Sequence, residues 1–150
     1  MRTIVRWGTV IALLDILSAM AFWYVYRGTP PERILQSVAA GLLGRSAFEL
    51  GLPAALLGAL LHWLIACAIA GVFRAIVLRY PVLLRRPAFS GPAYGLGVYA
   101  VMTYIVVPLS AAAGATFNPL WIAYSILFSH MICVGYALAW MARRGNWHNG

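Results

Sequence analysis

The chain contains no lysine; all 11 of its basic residues are arginine. A Schiff-base lysine is thereby excluded, and with it a retinal pigment or a lysine-dependent enzyme. Acids are nearly absent too. Asp15, Glu32 and Glu49 are the whole set, so a paired carboxylate site would have to draw on distant parts of the chain. The two cysteines, Cys67 and Cys133, lie inside apolar runs and form no CxxC pair. That spacing carries no thioredoxin-like or zinc-ribbon signal and leaves two small, reduced, buried thiols. Charged residues are 9% of the 150 positions, against about a quarter in soluble domains. With 63% of the chain apolar, too little polar surface remains to cover a water-soluble fold, and lipid is the natural solvent for the excess.

What is there is a set of long apolar runs punctuated by arginine. The net charge of +8 is the kind that invites nucleic acid. Here the arginines flank the runs, where membrane topology needs them, so no nucleic-acid partner is expected. Four runs are long enough to cross a hydrocarbon core of roughly 30 Å. They cover residues 7–26, 52–78, 91–109 and 119–141. The first carries Ala19-Met20-Ala21, which resembles a signal-peptide cleavage site. Its apolar stretch continues through Phe22-Trp23-Tyr24-Val25, too long for a signal core, and predicts an uncleaved helix. Ser90-Gly91-Pro92 reads as a cap and first turn for the third span, and Pro108 as its end or kink.

Residues 30–48 are too polar to span. Thr29-Pro30-Pro31-Glu32 fits a capping box followed by a helix. Ile34, Leu35, Val38, Ala39, Leu42 and Leu43 then share one face, with Arg33, Gln36 and Ser37 on the other. The expectation is an amphipathic helix that lies in the membrane interface, dips back into the bundle, or covers its mouth from outside. The fold class is thus all-α: an integral membrane four-helix bundle with one additional amphipathic helix, in a single domain.

Arginine counting orients the spans. Arg2, Arg6, Arg74, Arg79, Arg85, Arg86, Arg143 and Arg144 fall on one side, and only Arg27, Arg33 and Arg45 on the other. The positive-inside rule then puts both termini in the cytoplasm. Trp7, Trp23, Tyr24, Tyr80, Trp121 and Trp140 sit near span ends as interface anchors.

Three ionisable residues lie within the spans: Asp15, His62 and His130. At about 1.5 Å per residue all three come near the bilayer midplane, where such groups face the bundle interior and find partners. Gly8, Ala12, Asp15, Ser18 and Ala19 share a helix face, as do Ala55, Gly58, Ala59, His62, Ala66 and Ala70. Small residues at this spacing let helices approach closely. Tyr99 and Thr103 share a face of the third span and are candidates to join the cluster, whereas His148 in the tail is assigned nothing. Three readings stay open. The trio can hold the bundle in register. It can be a proton or cation relay, since histidine changes charge near neutral pH. Or His62 and His130 can ligate haem b or a metal from two helices, although two histidines do not complete a zinc site. An enzyme is the least favoured class, because no nucleophile–base pair can be built.

Pro31-Glu32-Arg33-Ile34-Leu35-Gln36-Ser37 followed by Gly41-Leu42-Leu43-Gly44 resembles a group of small bacterial membrane proteins without assigned chemistry. His62, Tyr94-Gly95, Val107-Pro108-Leu109-Ser110 and His130 fit the same pattern, and the helix–histidine layout is loosely similar to the YagU-like inner-membrane family. The resemblance implies a bacterial inner membrane, four helices and a role for Arg33, Gln36, His62 and His130 if the shared residues matter; it implies no activity. The leading expectation is an accessory or transport-related membrane protein. Its partners would be the bilayer and either further copies of itself or a larger membrane complex.

Overall fold

A computed structural model describes residues 1–112 and 118–145; His148 and most of the last loop lie outside them. The described chain is all helical, and four of its helices are long and apolar enough to cross a membrane. Helix α1 is Arg2–Arg27, α2 is Pro31–Leu43, α3 is Leu52–Arg79, α4 is Pro87–Leu109 and α5 is Pro119–Arg144. Short 3-10 turns, Gly44–Phe48 and Pro81–Arg85, precede α3 and α4.

Several boundaries differ from expectation for local reasons. Helix α1 starts at Arg2 because nothing between Arg2 and Trp7 breaks it, and arginine is a good helix former. It stops at Gly28, whose φ of 65° lets the turn reverse; the N–H groups of Gly28 and Thr29 close on the carbonyls of Tyr24 and Trp23. Helix α4 starts at Pro87, a residue suited to a first turn, and Ser90 does not cap it. The Ser90 hydroxyl instead donates to the Leu83 carbonyl at 2.7 Å, tying the α3–α4 turn to α4. No capping box forms at α2, where Pro30 occupies the cap position and Glu32 accepts from Gln36 Nε2 at 2.9 Å. Helix α5 is capped by Asn118, which accepts from the Trp121 N–H at 3.1 Å.

The packing inverts the pattern of a soluble bundle. Buried positions are mostly small, including Gly8, Ala12, Ser18, Ala39, Ala40, Ala54, Ala55, Gly58, Ala66 and Ala70. Leu13, Leu17, Leu56, Leu60, Leu64, Leu127 and Ile132 face outward. The expected face of α2 holds only in part, with Ala39 buried, Ile34, Leu35 and Val38 half-buried, and Arg33 and Ser37 exposed. Its buried residues are Gln36, Ala39 and Ala40, while Leu42 and Leu43 are exposed. The reason is geometric: α2 lies so close to α3 that a Cβ on Gly58 would collide with the Leu35 carbonyl, and only small side chains fit between. Trp7, expected at an interface, is also buried, within the core.

Glycine sets the other contacts too. Gly8 meets Cys67 where α1 crosses α3, and Gly91 and Gly95 lie against the Gly135 and His130 backbones where α4 crosses α5. The GxxxG pair in α4 is thus a packing device. A large apolar cluster of Trp7, Ile11, Phe73, Val77, Leu138 and neighbours fills the end of the bundle that holds the two described termini. At the other end an aromatic group, Phe22, Trp23, Tyr26, Trp121 and Tyr124, joins α1 to α5. Two substitutions in one helix test the contact rule. A Cβ at Gly95 would run into the His130 carbonyl, whereas one at Gly97 meets nothing within 4 Å. Gly95→Ala should cost about 1–3 kcal/mol and Gly97→Ala should be neutral or gain up to about 1 kcal/mol, read by reversible unfolding in detergent.

Candidate functional site

Three of the long apolar helices bring their ionisable residues to one place. Asp15 comes from α1, His62 from α3 and His130 from α5, and all three line a single cavity of about 260 Å³. The rest of its wall is mainly aliphatic, with Ile65, Ile69, Val98 and Met102 on one side. Ser37 and Gly41 from α2 and Ser110 beyond α4 add the remaining polar or small surface. Helix α2 therefore closes one end of the cavity, and the Ala111 N–H fastens it there through the Gly41 carbonyl at 2.8 Å.

The close crossing of α1 and α3 sets the first half of the site. His62 Nε2 lies 3.0 Å from the Ala12 carbonyl oxygen. A carbonyl only accepts, so Nε2 carries the proton in this arrangement. The same nitrogen is 3.8 Å from Asp15 Oδ2, an ion-pair distance once the ring is charged. A charge-assisted hydrogen bond would need the two atoms about 1 Å closer. The Nε2 proton thus stands between a fixed carbonyl and a carboxylate, within reach of either by a small rotation of the ring. Trp63 secures the crossing one residue on, donating from Nε1 to Thr9 Oγ1 at 2.9 Å.

The second half depends on a change of helix type. Helix α5 opens into π geometry over Ser125–Tyr136. Wider turns of this kind recur at functional sites because they re-aim side chains. His130 Nδ1 donates to the Ser125 carbonyl at 2.9 Å, with Ser125 Oγ at 3.3 Å. In the neutral ring this leaves the lone pair on Nε2. Tyr99 packs edge-on against the imidazole, ring centres 5.4 Å apart at 84°. Ser129, fully buried, meets Ser18 hydroxyl to hydroxyl at 2.6 Å and locks α5 to α1 beside the site. Tyr124 adds a bond to the Ser18 carbonyl at 3.2 Å.

The remaining sequence candidates fall around this centre. Tyr99 backs His130 without reaching the cavity wall, and the described lining leaves out Thr103. Arg33 is exposed and lies 4.8 Å over the Phe48 ring, donating to the Phe48 carbonyl at 3.1 Å. Gln36, read from sequence as solvent-facing, is buried and donates to Glu32 and to the Gly51 carbonyl. Both residues hold the α2–α3 elbow and stand outside the cavity lining described here. Ser18 was placed on the Asp15 face and Ser37 on the polar face of α2, but neither these two nor Ser129 and Ser110 were read as part of the site. A serine on a helix face does not by itself separate packing from lining.

The donor set limits which ligands suit the site. Among the described residues no three His, Cys, Asp or Glu side chains gather as a metal-binding group. His62 has committed Nε2 and His130 has committed Nδ1, so the rings offer different nitrogens. The cavity is also smaller than the roughly 300–1,000 Å³ of ordinary small-molecule pockets. Each ring keeps one free nitrogen, Nδ1 on His62 and Nε2 on His130, but haem b is larger than the cavity. Several waters fit it.

The Ser18–Ser129 bond sets the alignment of α1 on α5, so it should show as coupling. In a double-mutant cycle with Ser18→Ala and Ser129→Ala, unfolding in detergent should give a coupling of about 0.5–1.7 kcal/mol, and zero coupling would remove the bond from this account. Compared with known proteins, the chain matches no family model, no curated protein and no solved structure.

Proposed function

We propose that this chain is a four-span bacterial inner-membrane protein, accessory to transport or itself transporting, whose Asp15–His62–His130 site takes up and passes on protons. One observation carries the reading: the three ionisable residues within the spans line one cavity, with the His62 proton between a carbonyl and the Asp15 carboxylate. Ionisable groups are costly in the middle of a membrane and are kept where they serve a pathway or a partner. Histidine is the side chain whose charge changes near neutral pH. A protonated His62 beside Asp15 is a paired charge; a neutral one keeps its bond to Ala12. The ring thus has a stable arrangement in each protonation state. His130, with Nδ1 tied to its own helix, offers Nε2 as acceptor across the same space.

The outward-facing leucines and the four long apolar helices support insertion in a bilayer. Arginine placement supports cytoplasmic termini, which leaves α2 on the outer side, and its close seat on α3 supports a helix tucked into the bundle mouth. The sequence resemblance supports a bacterial inner membrane.

Two measurements test these points. In liposomes holding a pH-sensitive dye, the wild-type chain should collapse an imposed pH gradient faster than protein-free liposomes. Asp15→Asn and His62→Ala should abolish that flux while elution volume and unfolding midpoint hold. Wild-type flux at the protein-free level would overturn transport by this chain alone and leave the trio an accessory or structural role. For topology, alkaline phosphatase fused after Arg27 should be active and the same fusion after Arg144 inactive; the reverse pattern would invert the orientation.

A further inference from the structure

A second cavity, of about 460 Å³, lies between the start of α1 and the end of α5. From this cavity the geometry points to a binding site for the headgroup of an anionic phospholipid. The inference rests on the membrane reading above but not on any role of the Asp15–His62–His130 site.

The two helices run in opposite directions here, so their lining residues can be ranked by depth. On α1 the order from the end inward is Thr3, Arg6, Trp7, and on α5 it is Arg144, Met141, Trp140. Polar and cationic groups therefore form the rim and apolar ones the inner wall. A phospholipid has the same gradient, phosphate outermost and acyl chain inward. The Arg144 guanidinium lies 4.3 Å over the Trp140 ring. Stacking of this kind holds the planar fork in place while its edge N–H groups stay available to phosphate oxygens.

Charge supports the same ligand. The chain's three acids are Asp15, Glu32 and Glu49, in the middle of α1, on α2 and just before α3. Among the described residues neither Arg6 nor Arg144 pairs with a carboxylate, and Arg2 and Arg143 add to the local charge. Two guanidiniums over an apolar wall at the end of two spanning helices have a negative charge as their natural complement. Basic pockets between spanning helices take anionic headgroups in this way.

The test uses the full chain in detergent, titrated with phosphatidylglycerol, phosphatidylcholine or inorganic phosphate, with bound lipid counted by native mass spectrometry. Phosphatidylglycerol should bind at least about tenfold tighter than phosphatidylcholine. The Arg6→Gln, Arg144→Gln double variant should lose that preference, and Arg85→Gln, Arg86→Gln at the same end should keep it. Equal binding of the two lipids overturns the site. So does equal loss in both double variants, which would mean a diffuse basic surface. Displacement of the lipid by millimolar phosphate would make the ligand the free ion and overturn the lipid assignment. Failure of the wild-type chain to enter phosphatidylcholine liposomes would instead remove the membrane reading, a result separable from each of these.

Discussion

Close approach of helix backbones at glycine and alanine is the constraint on which the rest of this structure depends. Leu35 against Gly58, Cys67 against Gly8, and Gly135 and His130 against Gly91 and Gly95 bring helices nearer than any larger side chain would allow. Two results follow. The large aliphatic residues have no room between the helices and turn outward, where only an apolar solvent receives them without penalty. And where small residues line the interior, side chains do not fill it. The cavity around Asp15, His62 and His130 is the space left beside the contact points.

Such proximity also explains how buried polar groups are satisfied. With helix backbones this close, carbonyls of one helix come within reach of side chains on the next. His62 uses Ala12, Tyr94 uses Ile69 at 2.7 Å and Tyr124 uses Ser18, each across a helix pair. A carbonyl has two lone pairs, so it accepts a side-chain donor without giving up its own helical bond. Polar residues here therefore need few polar partners. Asp15 is the exception, since a carboxylate cannot bond to a carbonyl, and it is the group that must look to His62 or to water.

Much of the architecture was legible because helices long and apolar enough to cross a membrane announce themselves by length and composition alone. The small-residue faces of α1 and α3 could also be read, since Gly8, Ala12, Ser18 and Ala55, Gly58, Ala66, Ala70 repeat at helical spacing. Depth arithmetic from the span ends was enough to suspect that Asp15, His62 and His130 meet. Two features were not fully legible. The face of α2 was legible at Ile34, Leu35, Val38 and Ala39 but not at Gln36, Leu42 and Leu43, because the close seat of α2 on Gly58 leaves room mainly for small residues. The orientation of His130 depends on a π turn, and a wider turn changes the angular position of every later residue. No local residue pattern marks Ser125–Tyr136 as different from the α-helical turns on either side.

The bundle is also asymmetric along its axis, and this limits how any proton could pass. Towards α2 the described wall is Ser37, Val38, Gly41, Ser110 and Ala112, and the Ala111 N–H bonds to the Gly41 carbonyl there. Towards the termini the route meets Ile11, Phe73 and Leu138, among the most deeply buried side chains in the chain, with Trp7 beyond them. An apolar plug of that kind holds no water and carries no proton while it stays packed. Under the proposed proton role, passage beyond that cluster would require α1 or α5 to shift against it, and the Ser18–Ser129 bond is one of the contacts that couple those two helices beside the cavity.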